Sequence, residues 1–447
     1  MRFAVALLAL ILYAPAARCG WWEGFAAPPA GQGVDDVVRV LHVHDGDLFA
    51  GGSFNDAGGV AARYVARWDS TAWHDLDTGT NNRVDALCSH KDELIAGGRF
   101  TEAGGVTVEY VASWDGQQWS PVGLPAAWTW GYVLSLAEHD GDLYAGGSGY
   151  VARWDGLAWS AVTGAGFAGD VFALVSCGGA LYAGGAFASI TNPGGGAVAA
   201  ANLACWEGVA WAPVGSGTNG TVYALSPHGD DLVAGGVFSS PGHLVAGWTG
   251  AAWYAPGGGL DGAFVIALDE WSGRLVAGGD ITGSGGTLMN RIGLLDGGGW
   301  GPLGDGVNDM VRAVAGLGGA VFAGGAFGYA GGLPSRHVGR WDDPSVGAGD
   351  APPVAGMVNL LPPFPNPGNP RVTIPVRIDA PARVKVAIYD LHGRMIRCLW
   401  DDVSTTGTID LVWDGDIGGG GTAPSGSYLA RAVTRAGSSA ALISLVK

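Results

Sequence analysis

The sequence predicts an all-β protein: a seven-bladed β-propeller followed by a small β-sandwich. Three observations predict it. Gly is 81 of 447 residues and Trp 19, while charged residues make up only 14%, a composition that suits tight turns and packed aromatic rings. An Ala-Gly-Gly triplet recurs at Ala50, Ala96, Ala145, Ala183, Ala234, Ala277 and Ala323. Each triplet lies twelve residues after a Val: Val38, Val84, Val133, Val171, Val222, Val265 and Val311. Units of this length with several short apolar runs mark propeller blades, because one unit alone cannot bury its faces.

Each copy reads as four strands. Strand A is the Val run, such as "VDALCSH". Strand B is the "LYAGG" run, and Asp-Gly or Gly-Gly pairs between A and B suit two-residue hairpins. The double Gly lets strand B approach a neighbour closely and leave the regular pleat. Strand C ends at Trp68, Trp114, Trp154, Trp206, Trp248, Leu295 and Trp341. Strand D starts five residues later at Trp73, Trp119, Trp159, Trp211, Trp253 and Trp300, whose rings are expected to fill the space between blades. The seventh copy, "HVGRWDDPSVG", lacks that second Trp. The chain start "WWEGFAAPPAGQGVDDVVRV" aligns with "GGGWGPLGDGVNDMVRAV", which sets Phe25 at the Trp300 position. The segment Trp21 to Pro29 is therefore expected to complete blade seven and close the ring. The A–B and C–D spacings are constant, whereas the B–C and D–A connections vary in length. These variable connections emerge on one side of the disc, where function carried by loops belongs.

Outside the repeats, residues 1–19 have the pattern of a signal peptide: Arg2, a short apolar run, then small residues. Arg18 before Cys19 argues against lipid attachment, and no later segment is long and apolar enough to span a bilayer. The propeller is assigned to 20–345, a Pro/Gly/Ala linker to 346–357 and the sandwich to 358–447, where "RVTIPVRI" and "ARVKVAIYDLHGRMIRCL" read as strands. The net charge is −17, and residues 1–357 hold 33 acidic against 14 basic side chains. Such a body repels nucleic acid and anionic lipid. Cys88, Cys177, Cys205 and Cys398 show neither a disulfide framework nor metal-ligand spacing.

The "AGGxF…ARWDGxxW" pattern resembles the kelch propellers. It is more similar to bacterial exported propellers and to fungal cortical polarity proteins of the Rax type, a likeness that implies fold and leaves function open. The tail resembles the C-terminal sorting domain of the Por, or type IX, secretion system, akin to the Ig-like domain of the flagellar hook-capping protein. The matching residues are Asn366, Pro367, Asn369, Pro370, the run "VAIYDLHGRMIRCL" and Lys447; Gly368 stands where that family usually has Phe. The resemblance implies an Ig-like fold and passage through outer-membrane secretion machinery to the surface or medium of a Gram-negative-type bacterium.

Four sets of side chains are candidates for chemistry. Arg39, Asp85 and Arg312 hold the second position of strand A in neighbouring blades, where the others carry Leu134, Phe172, Tyr223 and Ile266. They would either bind an anionic ligand near the axis or form an inter-blade ion pair, which satisfies buried charges without a ligand. Trp128, Trp130 and Tyr132 fall off the repeat on the variable face, where they would stack on a sugar or pack into their own loop. His44, His90, His139 and His228 share one slot, but Cys177, Trp271 and Leu317 fill it elsewhere, so a turn position is the simpler account than a metal. Asp56, Glu102, Glu109, Asp170 and Asp305 lie near variable loops without forming a catalytic pair in sequence, and "ASWDGQQW", like the Asp-box of sialidases, reads as a structural turn. No cofactor is implied. The expectation is an exported, non-catalytic binding or adhesion protein for a glycan or surface protein. An enzyme acting on extracellular polysaccharide and a structural surface-layer component are the alternatives.

Overall fold

The computed structural model describes residues 21–24, 33–122, 131–164, 166–343, 358–378, 382–390, 395–404, 407–417, 421–434 and 437–446. The expected signal peptide and linker lie outside these residues, as do Trp128, Trp130 and Lys447.

Among the described residues the repeat region forms seven antiparallel sheets of one layout. In sheet 1, strands A to D are Val38–His44, Asp47–Gly52, Val65–Trp68 and Trp73–His74, paired in chain order. The A–B hairpins of sheets 1, 3 and 4 are of the expected kind: Asp45-Gly46, Asp140-Gly141 and Gly178-Gly179 all have positive φ at both central residues, the twist that a two-residue turn needs. Asp69, Asp115 and Asp155 brace the C–D turns, each accepting two backbone N–H bonds two and three residues on. The tryptophans that flank these turns face each other across the hairpin, with Trp68 and Trp73 at 5.5 Å between ring centroids and Trp114 and Trp119 at 5.4 Å.

The sheets meet in cyclic order, each strand A against the next and the seventh against the first, an arrangement consistent with a β-propeller. The first glycine of each triplet explains the approach. A Cβ on Gly51 would stand 2.7 Å from Val84 of sheet 2, and one on Gly97 would stand 2.7 Å from Val133 of sheet 3. The series continues through Gly146–Val171, Gly184–Val222, Gly235–Val265 and Gly278–Val311, and Gly324 returns it to Val38. The D-strand indoles add a second link. Nε1 donates to a carbonyl of the preceding sheet from Trp119 to Leu76 (2.9 Å), from Trp211 to Val162 (3.0 Å) and from Trp300 to Pro256 (2.8 Å).

Sheet 7 draws its outer strand, Trp21–Gly24, from the other end of the repeat region; it pairs with Val338–Asp342. One detail corrects the alignment: Trp22, not Phe25, occupies the second-Trp slot. It lies opposite Trp341, is 3% exposed, and donates Nε1 to the Leu303 carbonyl at 2.7 Å. Phe25 and the rest of the expected strand lie outside the described residues. A strand must place alternate side chains on opposite faces, so moving the register by three residues exchanges which face each side chain joins.

The C-terminal region forms two further antiparallel sheets. One holds Val358–Leu360, Val372–Ile378 and Gly407–Trp413. The other orders Met395–Ser404, Ala382–Tyr389, Gly426–Thr434 and Gly437–Leu445. Ile374, Val376, Val386, Trp413, Tyr428 and Ile443 from both sheets share one buried core. Asn366 is structural here: its Nδ2 donates to Leu442 O and its Oδ1 accepts from Ser444 N, tying the Pro-rich segment to the last strand.

Candidate functional site at the hub mouth

The second glycine of each triplet builds the site. A Cβ there would overlap the carbonyl of the residue just before the strand-A Val, namely Val37, Arg83, Tyr132, Asp170, Thr221, Phe264 or Met310. That tight approach accompanies a bulge in every strand A: the pairing skips one residue between Val38 and Val40, Val84 and Ala86, and at the equivalent step in the other five sheets. A bulge leaves its extra residue outside the ladder and re-aims the side chain. The skipped residues are Arg39, Asp85, Leu134, Phe172, Tyr223, Ile266 and Arg312. All seven line one cavity of about 370 Å³ on the axis, joined by Phe264 and Met310. These last two each lie one residue before the strand-A Val of their sheets, on the side of the D–A connections.

The cavity has two kinds of wall. Sheets 3 to 6 contribute Leu134, Phe172, Tyr223 and Ile266, with the Phe172 and Tyr223 rings 5.3 Å apart. Sheets 7, 1 and 2 contribute charge. Asp85, with 8% of its side chain exposed, is met by Arg83 Nε at 3.0 Å, Arg99 Nε at 3.7 Å and Arg39 Nε at 3.9 Å. Arg39 also donates to Ser53 Oγ at 3.2 Å. Burial lowers the Arg39 pKa, and the nearby Arg83, Arg312 and Arg99 lower it further, against the pull of Asp85. Arg312 makes no ion pair with a described residue, and its Nε is buried without a hydrogen-bond partner among them.

The structure thus brings Arg39, Asp85 and Arg312 together, and the closest Asp85 contact is to Arg83, which sequence reasoning missed along with Arg99. A signal existed: Val84 pairs with Gly98, which sets residues 83 and 99 side by side at that hairpin's end. Tyr132 is half-buried under the Arg99 guanidinium, 3.5 Å from its ring centroid, and belongs to this cluster.

Several of the other candidates have local partners. The His slot forms clasps between neighbouring sheets: His44 with Ser89 (2.9 Å), His90 with Glu138 (3.2 Å), His139 with Ser176 (2.9 Å) and His228 with Glu270 (3.3 Å). Asp56 and Asp170 take hydrogen bonds within and between loops, from Gly59 N and Ser148 Oγ. Asp56 and Glu102 open small two-residue hairpins that no repeat pattern announced. Cys88, Cys177, Cys205 and Cys398 are free thiols, and burial pushes Cys88 up to about 12. No helix among the described residues is long and apolar enough to cross a membrane.

No protein-family model and no curated protein matches the chain. Among solved structures it is similar to PorZ of Porphyromonas gingivalis, described as an essential bacterial surface component of the type-IX secretion system, at 13% identity and a TM-score of 0.44, covering 94% of this chain and 61% of that one. It is similar at 13% identity and a TM-score of 0.44 to a fungal alcohol oxidase of the AA5 family in complex with copper, covering 95% and 98%. A third likeness, at 10% identity and a TM-score of 0.43, is to an extracellular domain assigned to a hybrid two-component system of B. thetaiotaomicron, covering 95% and 57%. The chain therefore spans less than two thirds of PorZ and of the third structure. These are loose likenesses and assign no activity.

Proposed function

We propose that the chain is an exported, non-catalytic binding or adhesion protein. In this reading residues 20–345 are a seven-bladed β-propeller that holds its ligand at the hub mouth. Residues 358–447 are an Ig-like sorting domain that directs the protein through outer-membrane machinery to the cell surface or the medium. One observation carries the binding role: seven bulged residues, one per sheet, converge on a single cavity that combines arginines with aromatic rings. Sites for organic ligands are built this way, from an apolar lining with a few placed polar groups. The repeated Trp, Asp and His side chains are occupied in holding sheets together, which leaves the bulge positions to differ from sheet to sheet.

Two experiments test the reading. Purified protein is applied to a glycan array and to cell-envelope material, beside a variant with Phe172→Ala and Tyr223→Ala together. Retention that the double variant loses is the expected result, and equal retention overturns the site. In a bacterium with type IX secretion, the full chain is expected outside the outer membrane and a chain ending at Asp343 in the periplasm. Unchanged export of the shortened chain overturns the sorting role.

A further inference from the structure

If the hub mouth takes a ligand, as proposed above, its charge says which kind. Arg39, Arg83 and Arg99 meet the single carboxylate of Asp85, and Arg312 lines the same cavity as Arg39 and Asp85. No other described carboxylate comes within ion-pair distance of any of the four, so four positive charges face one negative charge. Arg312 is the sharpest case: it lines the cavity with a buried, unpartnered Nε. A buried donor left without an acceptor is costly, and a charged one more so. Such a donor is satisfied when an anion enters. The excess is local and opposes the whole chain, whose net charge is −17.

The opposite wall sets a second requirement. Leu134, Phe172, Tyr223 and Ile266 offer no charge and present two aromatic rings. A bare inorganic anion would leave that wall wet. A ligand with an acid group on one side and an apolar ring face on the other fits both walls, because guanidinium forks match the two oxygens of a carboxylate and aromatic rings stack on a ring face.

We infer that the hub mouth binds a ring-borne carboxylate, with Arg312 and Arg39 on the acid and Phe172 and Tyr223 against the ring. Two sources carry this chemistry, an acidic sugar residue and an aromatic acid. Arg83 is held on Asp85, and Arg99 spans Asp85 and Tyr132, so both position the charged wall.

Isothermal titration of the full chain decides the matter with three probes: trigalacturonate, benzoate and neutral trigalactose, at low salt and at about 0.3 M NaCl. The expected result is binding of a carboxylate probe at low salt, weakened by salt, with trigalactose at least about tenfold weaker. Trigalacturonate preferred over benzoate identifies a sugar source, and the reverse an aromatic acid. Arg312→Met is expected to lose about tenfold or more in affinity while melting no lower than the parent, since it removes an unpartnered cation. Should that variant fail to fold, Arg99→Gln, at a partly exposed position, is expected to weaken the same binding. Equal affinity for trigalactose and trigalacturonate, with Arg312→Met unchanged, overturns the acid assignment and leaves binding at the mouth standing. Absence of heat with both carboxylates at low salt overturns it outright.

Discussion

Trp22 is the residue through which closure of the ring is most directly measured. Its indole is 3% exposed and its Nε1 donates to Leu303 O at 2.7 Å, linking positions 281 residues apart. Trp22→Phe removes that bond while Leu303 O keeps its second donor, Gly306 N at 3.0 Å, a loss of about 0.5–1.5 kcal/mol. Trp22→Ala also empties the ring's volume, and large-to-small core changes of this size cost about 3–5 kcal/mol. An unfolding entropy of about 2.1 cal/mol/K per residue over roughly 320 residues gives about 0.7 kcal/mol/K. The melting temperature is therefore expected to fall by about 1–2 °C for the Phe variant and about 4–7 °C for the Ala variant. Calorimetry gives these shifts. Hydrogen exchange adds location, because the amides of Val338–Asp342 paired to Trp21–Gly24 are expected to lose protection before those of sheets 3 and 4. An Ala variant that melts within about 1 °C of the parent, with protection of Val338–Asp342 intact, would refute closure by this strand.

Further predictions follow from the same geometry. Gly324→Ala sets a Cβ 2.5 Å from Val38 Cγ1 and is expected to destabilise by about 1–3 kcal/mol, with Val38→Ala restoring part of the loss in the double variant; additive effects in denaturant titrations would count against direct contact. Burial raises Asp269 to about 6 from 3.8, so the folded chain holds that proton more tightly than the unfolded chain, and its contribution to stability declines as pH rises from about 4 to 6. Asp269→Asn is accordingly expected to be the more stable protein at pH 7.5, by about 1–3 kcal/mol, and to lose that advantage below pH 4, as melting curves across pH would record. Asn366→Ala removes both bonds to the last strand of the tail and is expected to speed proteolysis within 358–447 while leaving the seven sheets' melting unchanged.

Much of the scaffold was legible because the same physical problem recurs seven times. A strand that must lie against its neighbour's Val needs a glycine, and a two-residue hairpin needs positive φ; both requirements write themselves into fixed spacings. Where the spacing was broken, reading was harder. The missing second Trp points to an outer strand from the chain's start, yet the alignment with residues 297–314 sets Phe25 in the slot that Trp22 fills. The site was half legible. Arg39, Asp85 and Arg312 stood out as charges in an apolar column. Arg83 and Arg99 did not, because they flank strands instead of sitting in the repeat, and only the hairpin register brings them to Asp85. The bulge was also hidden: a double glycine signals a departure from the pleat without saying which residue on the opposite strand is expelled.

The bulge has a consequence for how such a protein can change. The expelled residue in each sector has no partner in the strand register, so its side chain can be replaced without shifting that register. The axis is thereby fitted with seven side chains held at fixed points around a circle, some of them in contact with one another. Relatives of this chain could turn from acids to cations, or from charged to neutral compounds, by substitutions at these places alone, with the architecture inherited unaltered.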